Sequence, residues 1–239
     1  MSTDLSSTSH HYDRAMTTSP GTTPVTSAES LAGGVGVRRN AQGQRVREEI
    51  LDTASRLMSE YGYDGASISA IIKASGIQKS SIYWQFDSKA AIAAAVMERG
   101  ARRFFDATPL RGTRGSAGTR LHSFLRGIAT NLDEHQEFLR LFLTLVLTNR
   151  DPDVADVLDR VRTEALTRMR EFITVAFEGE APDVAARIGD QLAGLGVALF
   201  DGYFLAAQID GPHGRDQRVR DMAKALELYG HAIAATARP

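Results

Sequence analysis

The stretch Ser67–Lys89 places Ile68, Ile71 and Ile72 ahead of Gly76, and Ile77, Ile82 and Phe86 behind it. That spacing predicts two short helices joined by a tight turn, because each apolar set recurs at helical intervals. Gly76 can take the backbone shape that such a turn needs, and Ile77 plugs the space beneath it. The second helix is expected over about Gln78–Phe86 and buries Ile82 and Phe86. Lys79, Ser80, Ser81, Tyr83, Trp84 and Gln85 stay on or near its outside. Two core anchors with that set of polar and aromatic tips suit a polar, anionic groove better than a protein interior. A recognition helix entering the major groove of DNA has these requirements.

The flanks read as helix throughout. Val46, Ile50, Ala54, Leu57 and Tyr61 form one stripe, widened by Leu51 and Met58, so a first helix is expected from Gln44 to Gly62. Tyr63-Asp64-Gly65 then turns, and Ser67 is a good N-cap for the next helix. Asp87 or Ser88 caps a fourth helix whose stripe begins at Ile92, Ala95 and Val96. Pro109-Leu110-Arg111-Gly112 marks a boundary. Beyond it the periods predict helices over about 117–133, 135–148, 153–178, 183–209 and 215–236. Pro152 and Pro182 sit just inside helix starts, where proline is tolerated. No strand pattern and no fixed-period repeat is found.

Ala74-Ser75-Gly76-Ile77, followed by Ser81-Ile82-Tyr83-Trp84-Gln85-Phe86-Asp87-Ser88-Lys89, resembles the DNA-binding domain of TetR-like (tetracycline-repressor-like) transcriptional regulators. The resemblance runs from about Arg45 to Glu98, and helix starts, turn glycine, aromatic pair and Ser-Lys all fall in register. Ile72 stands where a small Ala is usual, and Ser80 replaces a common Gly. The resemblance implies an all-α fold: a three-helix DNA-binding domain with a helix-turn-helix, a long linking fourth helix, and a helical ligand-binding and dimerisation domain. The expected division is 1–43, a disordered tail; 44–98, the DNA-binding domain; and 99–239, the effector-binding and dimerisation domain. The implied function is a ligand-responsive repressor that binds a palindromic operator as a homodimer, assembled through the helices at about 183–209 and 215–236. A small-molecule effector would release it, and the protein would be cytoplasmic.

The family pattern also assigns roles. Lys79, Ser80 and Ser81 lie at the groove-facing start of the recognition helix, with Lys79 the candidate for a guanine contact. Gln78 and Gln85 address adenine or a phosphate. Tyr83 resembles a phosphate-binding tyrosine, and Trp84 lies against the sugar-phosphate backbone. Ser67 and Lys89 sit at helix N-termini, which favour an anion, and Arg45 reaches a flanking phosphate. Alone, each of these is more simply a packing residue or a solvated charge; the reading rests on their common register.

Charge supports the same segment. The formal net charge is −1, but Arg38–Arg103 holds 11 basic and 7 acidic residues, so positive charge gathers where phosphates would lie. Residues 1–37 are rich in Ser, Thr, Gly and Pro and show no helical period. Gly33-Gly34-Val35-Gly36 therefore reads as linker, and Arg38 and Arg39 as a solvated pair or a minor-groove arm. No uninterrupted run of about 18 apolar residues occurs, so no membrane span is expected. There is no cysteine, which excludes disulfides and thiolate metal sites. No metal spacing, phosphate loop or catalytic triad is found among the six histidines and their neighbours, so neither a cofactor nor an enzyme is expected. Phe104, Phe124, Phe138, Phe142, Phe172, Phe177 and Tyr203 are candidate walls of an effector cavity, with His122, Arg126, Asn149 or Asp201 to orient a ligand. The rival readings are a helical small-molecule carrier without DNA activity and a non-specific architectural DNA-binding protein.

Overall fold

Helix α1 runs Glu29–Gly65 and is broken at Gly62, whose φ of 73° and ψ of 170° leave the helical region. The structure is a computed structural model describing residues 29–108, 114–148, 151–211 and 213–237, with side chains described from Ala41 onward. The expected stop at Gly62 is thus a break, and Tyr63–Gly65 adds a further helical turn. At the other end, residues 29–43, expected as irregular tail and glycine linker, are helical. Once a turn is formed, each further residue adds a hydrogen bond without a new nucleus, so the glycines lower the preference for helix without forbidding it. Residues 1–28 and the boundary segment 109–113 lie outside the described residues.

Next come α2 (Ile68–Ser75), α3 (Lys79–Gln85) and α4 (Lys89–Ala107). They are followed by α5 (Ala117–Glu134), α6 (Gln136–Thr148), α7 (Pro152–Ala176), α8 (Pro182–Asp210) and α9 (Arg215–Thr236). The starts are set by side-chain caps. Ser67, Ser88, Ser116 and Asp151 each accept a hydrogen bond from a backbone N–H of the first turn, satisfying donors that a helix N-terminus leaves orphaned. Ser88, rather than Asp87, caps α4. Pro152 and Pro182 open α7 and α8 as expected.

Two apolar clusters fill the interior. One joins Ile50, Leu57 and Met58 of α1 to Ile71, Ile82, Phe86 and the α4 residues Ile92 and Met97; the other joins α5, α7, α8 and α9 around Leu125, Phe172, Ile188 and Leu226. The expected boundary at residues 98/99 falls inside α4. This helix is pinned to α1 by Arg99, which is 2.8 Å from both Glu48 and Asp52. Glu98 meets Arg160 of α7 at 2.7 Å.

By length and composition α8 alone, among the described residues, is long and apolar enough to cross a membrane. It holds no uninterrupted apolar run of that length, because Arg187, Asp190 and Asp201 divide it. Its apolar residues Ile188, Leu192, Val197, Phe200 and Phe204 are buried within the bundle, as suits a core helix.

Close packing restricts what the bundle tolerates. A Cβ at Gly230 would lie 2.2 Å from Cζ of Phe177, itself only 2% exposed. Gly230→Ala is therefore expected to cost about 1–3 kcal/mol through overpacking. Gly127→Ala in α5 meets open space and is expected to stabilise by about 0.5–1 kcal/mol. Urea denaturation of the two variants checks both signs.

Candidate nucleic-acid interface

A helix of seven residues cannot hold itself together in water, so α3 is placed by its neighbours. Ile82 is fully buried and Phe86 is 5% exposed, which fixes one face. Gly76 takes φ 70°, ψ 3° and donates its N–H to the Ile72 carbonyl, closing α2 in the left-handed conformation that favours glycine. The Ser75 hydroxyl donates to the Ile71 carbonyl at 2.8 Å and accepts from the Ile77 N–H at 3.2 Å. The turn is thus stitched from both sides.

The far end of α3 is held from α1. Gln85 Nε2 donates to the Gly43 carbonyl at 3.1 Å, and Arg47 Nη1 donates to the Gln85 carbonyl at 3.4 Å. The Arg47 guanidinium also lies 4.3 Å over the Phe86 ring. Arg47 is a residue that the sequence reading passed over. Its position beside Val46 in the α1 stripe was the available signal, but contact with a helix 38 residues away has no local signature.

What remains on the outer face is Gln78, Lys79, Ser80, Tyr83 and Trp84, all exposed, with Ser81 half-buried. Trp84 is 80% exposed and Tyr83 45%; an indole left so far in water has little packing role in the single chain. Lys79 Nζ stands 5.6 Å from the Tyr83 ring centroid. Arg45 is exposed on α1, as is Lys73 at the end of α2. The structure thus brings the first-turn residues of α3 and its aromatic pair onto one side.

Three of the expected contact residues are partly committed within the chain. The Ser67 hydroxyl accepts the Ala70 N–H at 3.1 Å, which leaves its own proton free to be donated. The Gln85 amide nitrogen is taken by Gly43. Lys89 Nζ donates to the Tyr63 carbonyl at 3.0 Å and lies 4.0 Å from the centre of the Tyr63 ring. Burial pushes the Tyr63 hydroxyl above its ordinary pKa, and the carboxylates of Asp151 and then Asp64 add to this.

Residues 50–96 match the family described as bacterial regulatory proteins, tetR family. Over that segment the helix-turn-helix of this chain is similar to those of the tetR family. Over 47 residues the chain is 45% identical to the biofilm operon icaADBC HTH-type negative transcriptional regulator IcaR of Staphylococcus aureus strain Newman, covering 20% of this chain and 25% of that protein. Over 57 residues it is 37% identical to the HTH-type transcriptional regulator AcrR of Shigella flexneri, covering 24% and 26%. The chain thus spans about a quarter of the length of the curated relatives it matches. Beyond that segment the likeness is structural. The reduced form of Escherichia coli NemR superposes with a TM-score of 0.61 at 20% identity over 76% of this chain and 96% of that one. A TetR-family regulator from Agrobacterium tumefaciens gives 0.61 at 15% identity over 77% and 98%. At these identities the likeness shows a shared all-helical fold: tetR-type helix-turn-helix followed by a helical C-terminal domain.

That C-terminal domain contains a cavity of about 110 Å³ between α4, α5, α6, α7 and α8. Of the expected walls, Phe104, Phe124, Phe138 and Phe142 line it, as does Asp201. Phe172 stacks behind Phe124, Phe177 packs on His231, and Tyr203 is buried against Phe200. These three are core side chains that do not line it. Asn149 lies outside the described residues, and His122 and Arg126 do not border the space. Arg162 and Arg168 do. They were hidden in the sequence by the dense charge of α7, where inward and outward arginines look alike.

Proposed function

We propose that this protein is a sequence-specific, DNA-binding transcriptional repressor that binds a palindromic operator as a homodimer and responds to a small-molecule effector. The observation that carries this reading is the outward face of α3, where Lys79, Ser80, Tyr83 and Trp84 stand clear of the core while Ile82 and Phe86 hold the helix down. Lys79 and Ser80 address base edges; Tyr83, Trp84, Ser81 and Gln78 address the backbone or neighbouring bases. Arg45, the Ser67 hydroxyl proton and the Lys89 N–H donors not taken by Tyr63 address phosphates. Gln85, its amide nitrogen held by Gly43, acts mainly by positioning α3. An enzymatic role has no support in this face, and cytoplasmic location follows from the proposed function.

The dimer reading is supported by α8 and α9. Leu195, Ala198, Gly202, Leu205 and Ile209 recur every three or four residues on one exposed face of α8, with Gly194 exposed beside them, and Leu228 and Tyr229 are exposed on α9. Nothing lies within 4 Å of a Cβ built at Gly194 or Gly202. Glycine in a helix is unfavourable and these two serve no packing need inside one chain, whereas close approach of a second helix would use them.

Selection of bound duplexes from random DNA, followed by footprinting, tests the reading. A short protected palindrome is expected, diffuse coverage would indicate an architectural protein, and no protection a carrier. Lys79→Ala is expected to relax preference at one base pair of each half-site by about 1–3 kcal/mol. Arg45→Ala should lower the slope of log affinity against log salt by about 1 per subunit, uniformly across sequences. Parent-like selection and salt profiles for both variants would remove these assignments.

A further inference from the structure

The spare polar capacity of the cavity is mostly hydrogen-bond donors. Arg162, Ala165 and Arg168 of α7 all border the space. Arg162 Nη1 holds Asp201 Oδ2 of α8 at 2.7 Å. Arg168 holds Glu164 through Nε and donates from Nη1 to the Phe105 carbonyl at 3.1 Å. Among the described residues no acceptor meets Arg162 Nε, Arg162 Nη2 or Arg168 Nη2. Thr108, the other polar residue bordering the space, is already spent: its hydroxyl donates to the Phe104 carbonyl and accepts from Asn131. Asp201 alone offers a free acceptor oxygen.

We infer that the cavity binds a compact aromatic acid, its rings among the phenylalanines and its carboxylate on the Nε and Nη2 donors of Arg162 that Asp201 leaves unmet. The Arg162 and Asp201 side chains are 39% and 44% exposed, and an ion pair so open to water contributes little to stability. Arg162 keeps Asp201 on one edge of its planar fork and offers the other edge to the ligand, while the rings gain burial. A space of about 110 Å³ is well below that of drug-sized sites, which favours one or two fused rings. The apolar walls place aromatic edges and faces around the ligand.

This inference deepens the effector reading above, and titration calorimetry without DNA separates the two. The full chain is titrated with 1-naphthoate, its uncharged analogue 1-naphthamide, and 1-naphthylmethylammonium. The acid is expected to bind at least about tenfold tighter than the amide, a difference of one pairing with an ionised group. Arg162→Gln should remove that preference, bringing the affinity of the acid down to about that of the amide. Asp201→Asn should strengthen acid binding several-fold, a gain that a damaged fold cannot produce. The inference is overturned if the ammonium binds tightest, if acid and amide bind alike, or if none of the three binds. Acid binding that leaves operator affinity unchanged would support the site while removing its regulatory role.

Discussion

An Ile82→Ala variant is expected to lose about 2–5 kcal/mol of stability and to show no operator complex under conditions where the parent is saturated. Ile82 has no exposed surface, and it shares with Phe86 the task of seating α3 on α1 and α4. Seven residues hold too few internal hydrogen bonds to preserve a helix whose apolar attachment is gone. The variant therefore removes the shape of the reading face while leaving every exposed side chain in the sequence. Urea denaturation and mobility-shift titration measure the two losses together. Parent-like stability would show that Ile82 is not an anchor, and parent-like binding that DNA does not use the α3 surface.

The second large effect is expected at Leu205, which is 55% exposed on the glycine-bearing face of α8. Leu205→Glu places a charge at the centre of the proposed interface, where desolvation without a partner is costly. Sedimentation should show a monomer with an unchanged helical spectrum. Operator affinity should fall at least about 100-fold, because two half-sites joined in one particle bind with the advantage of effective concentration and a lone subunit does not. A dimer that retains affinity within a few-fold would place the interface elsewhere.

The features most legible in the sequence were those enforced by neighbouring residues. Gly76 could be read as the turn because its left-handed backbone has a local cause, and Ser67, Pro152 and Pro182 mark helix starts for the same reason. Ile82 and Phe86 declared the buried side of α3 by their spacing. The contacts that escaped notice act across the chain. Arg47 reaches the end of α3 from α1, and Lys89 turns back onto Tyr63; neither contact leaves a periodic trace. Within the cavity, Phe104 and Phe138 were identifiable as large apolar side chains, but Phe172 and Phe177 look the same in sequence and belong to the core behind it. Aromatic composition does not distinguish a wall from its backing. The helix over 29–43 was missed because glycines and small polar residues mimic a linker, although they extend a helix once one exists.

The clasp that Gln85 and Arg47 form between α1 and the end of α3 bears on the thermodynamics of operator recognition. With both ends of α3 tied down, its backbone is ordered before any duplex arrives, and only side-chain rotamers such as those of Lys79 and Trp84 remain to be frozen. Calorimetry should accordingly find a heat-capacity decrement in keeping with rigid-body docking, far from the large values of segments that fold as they bind.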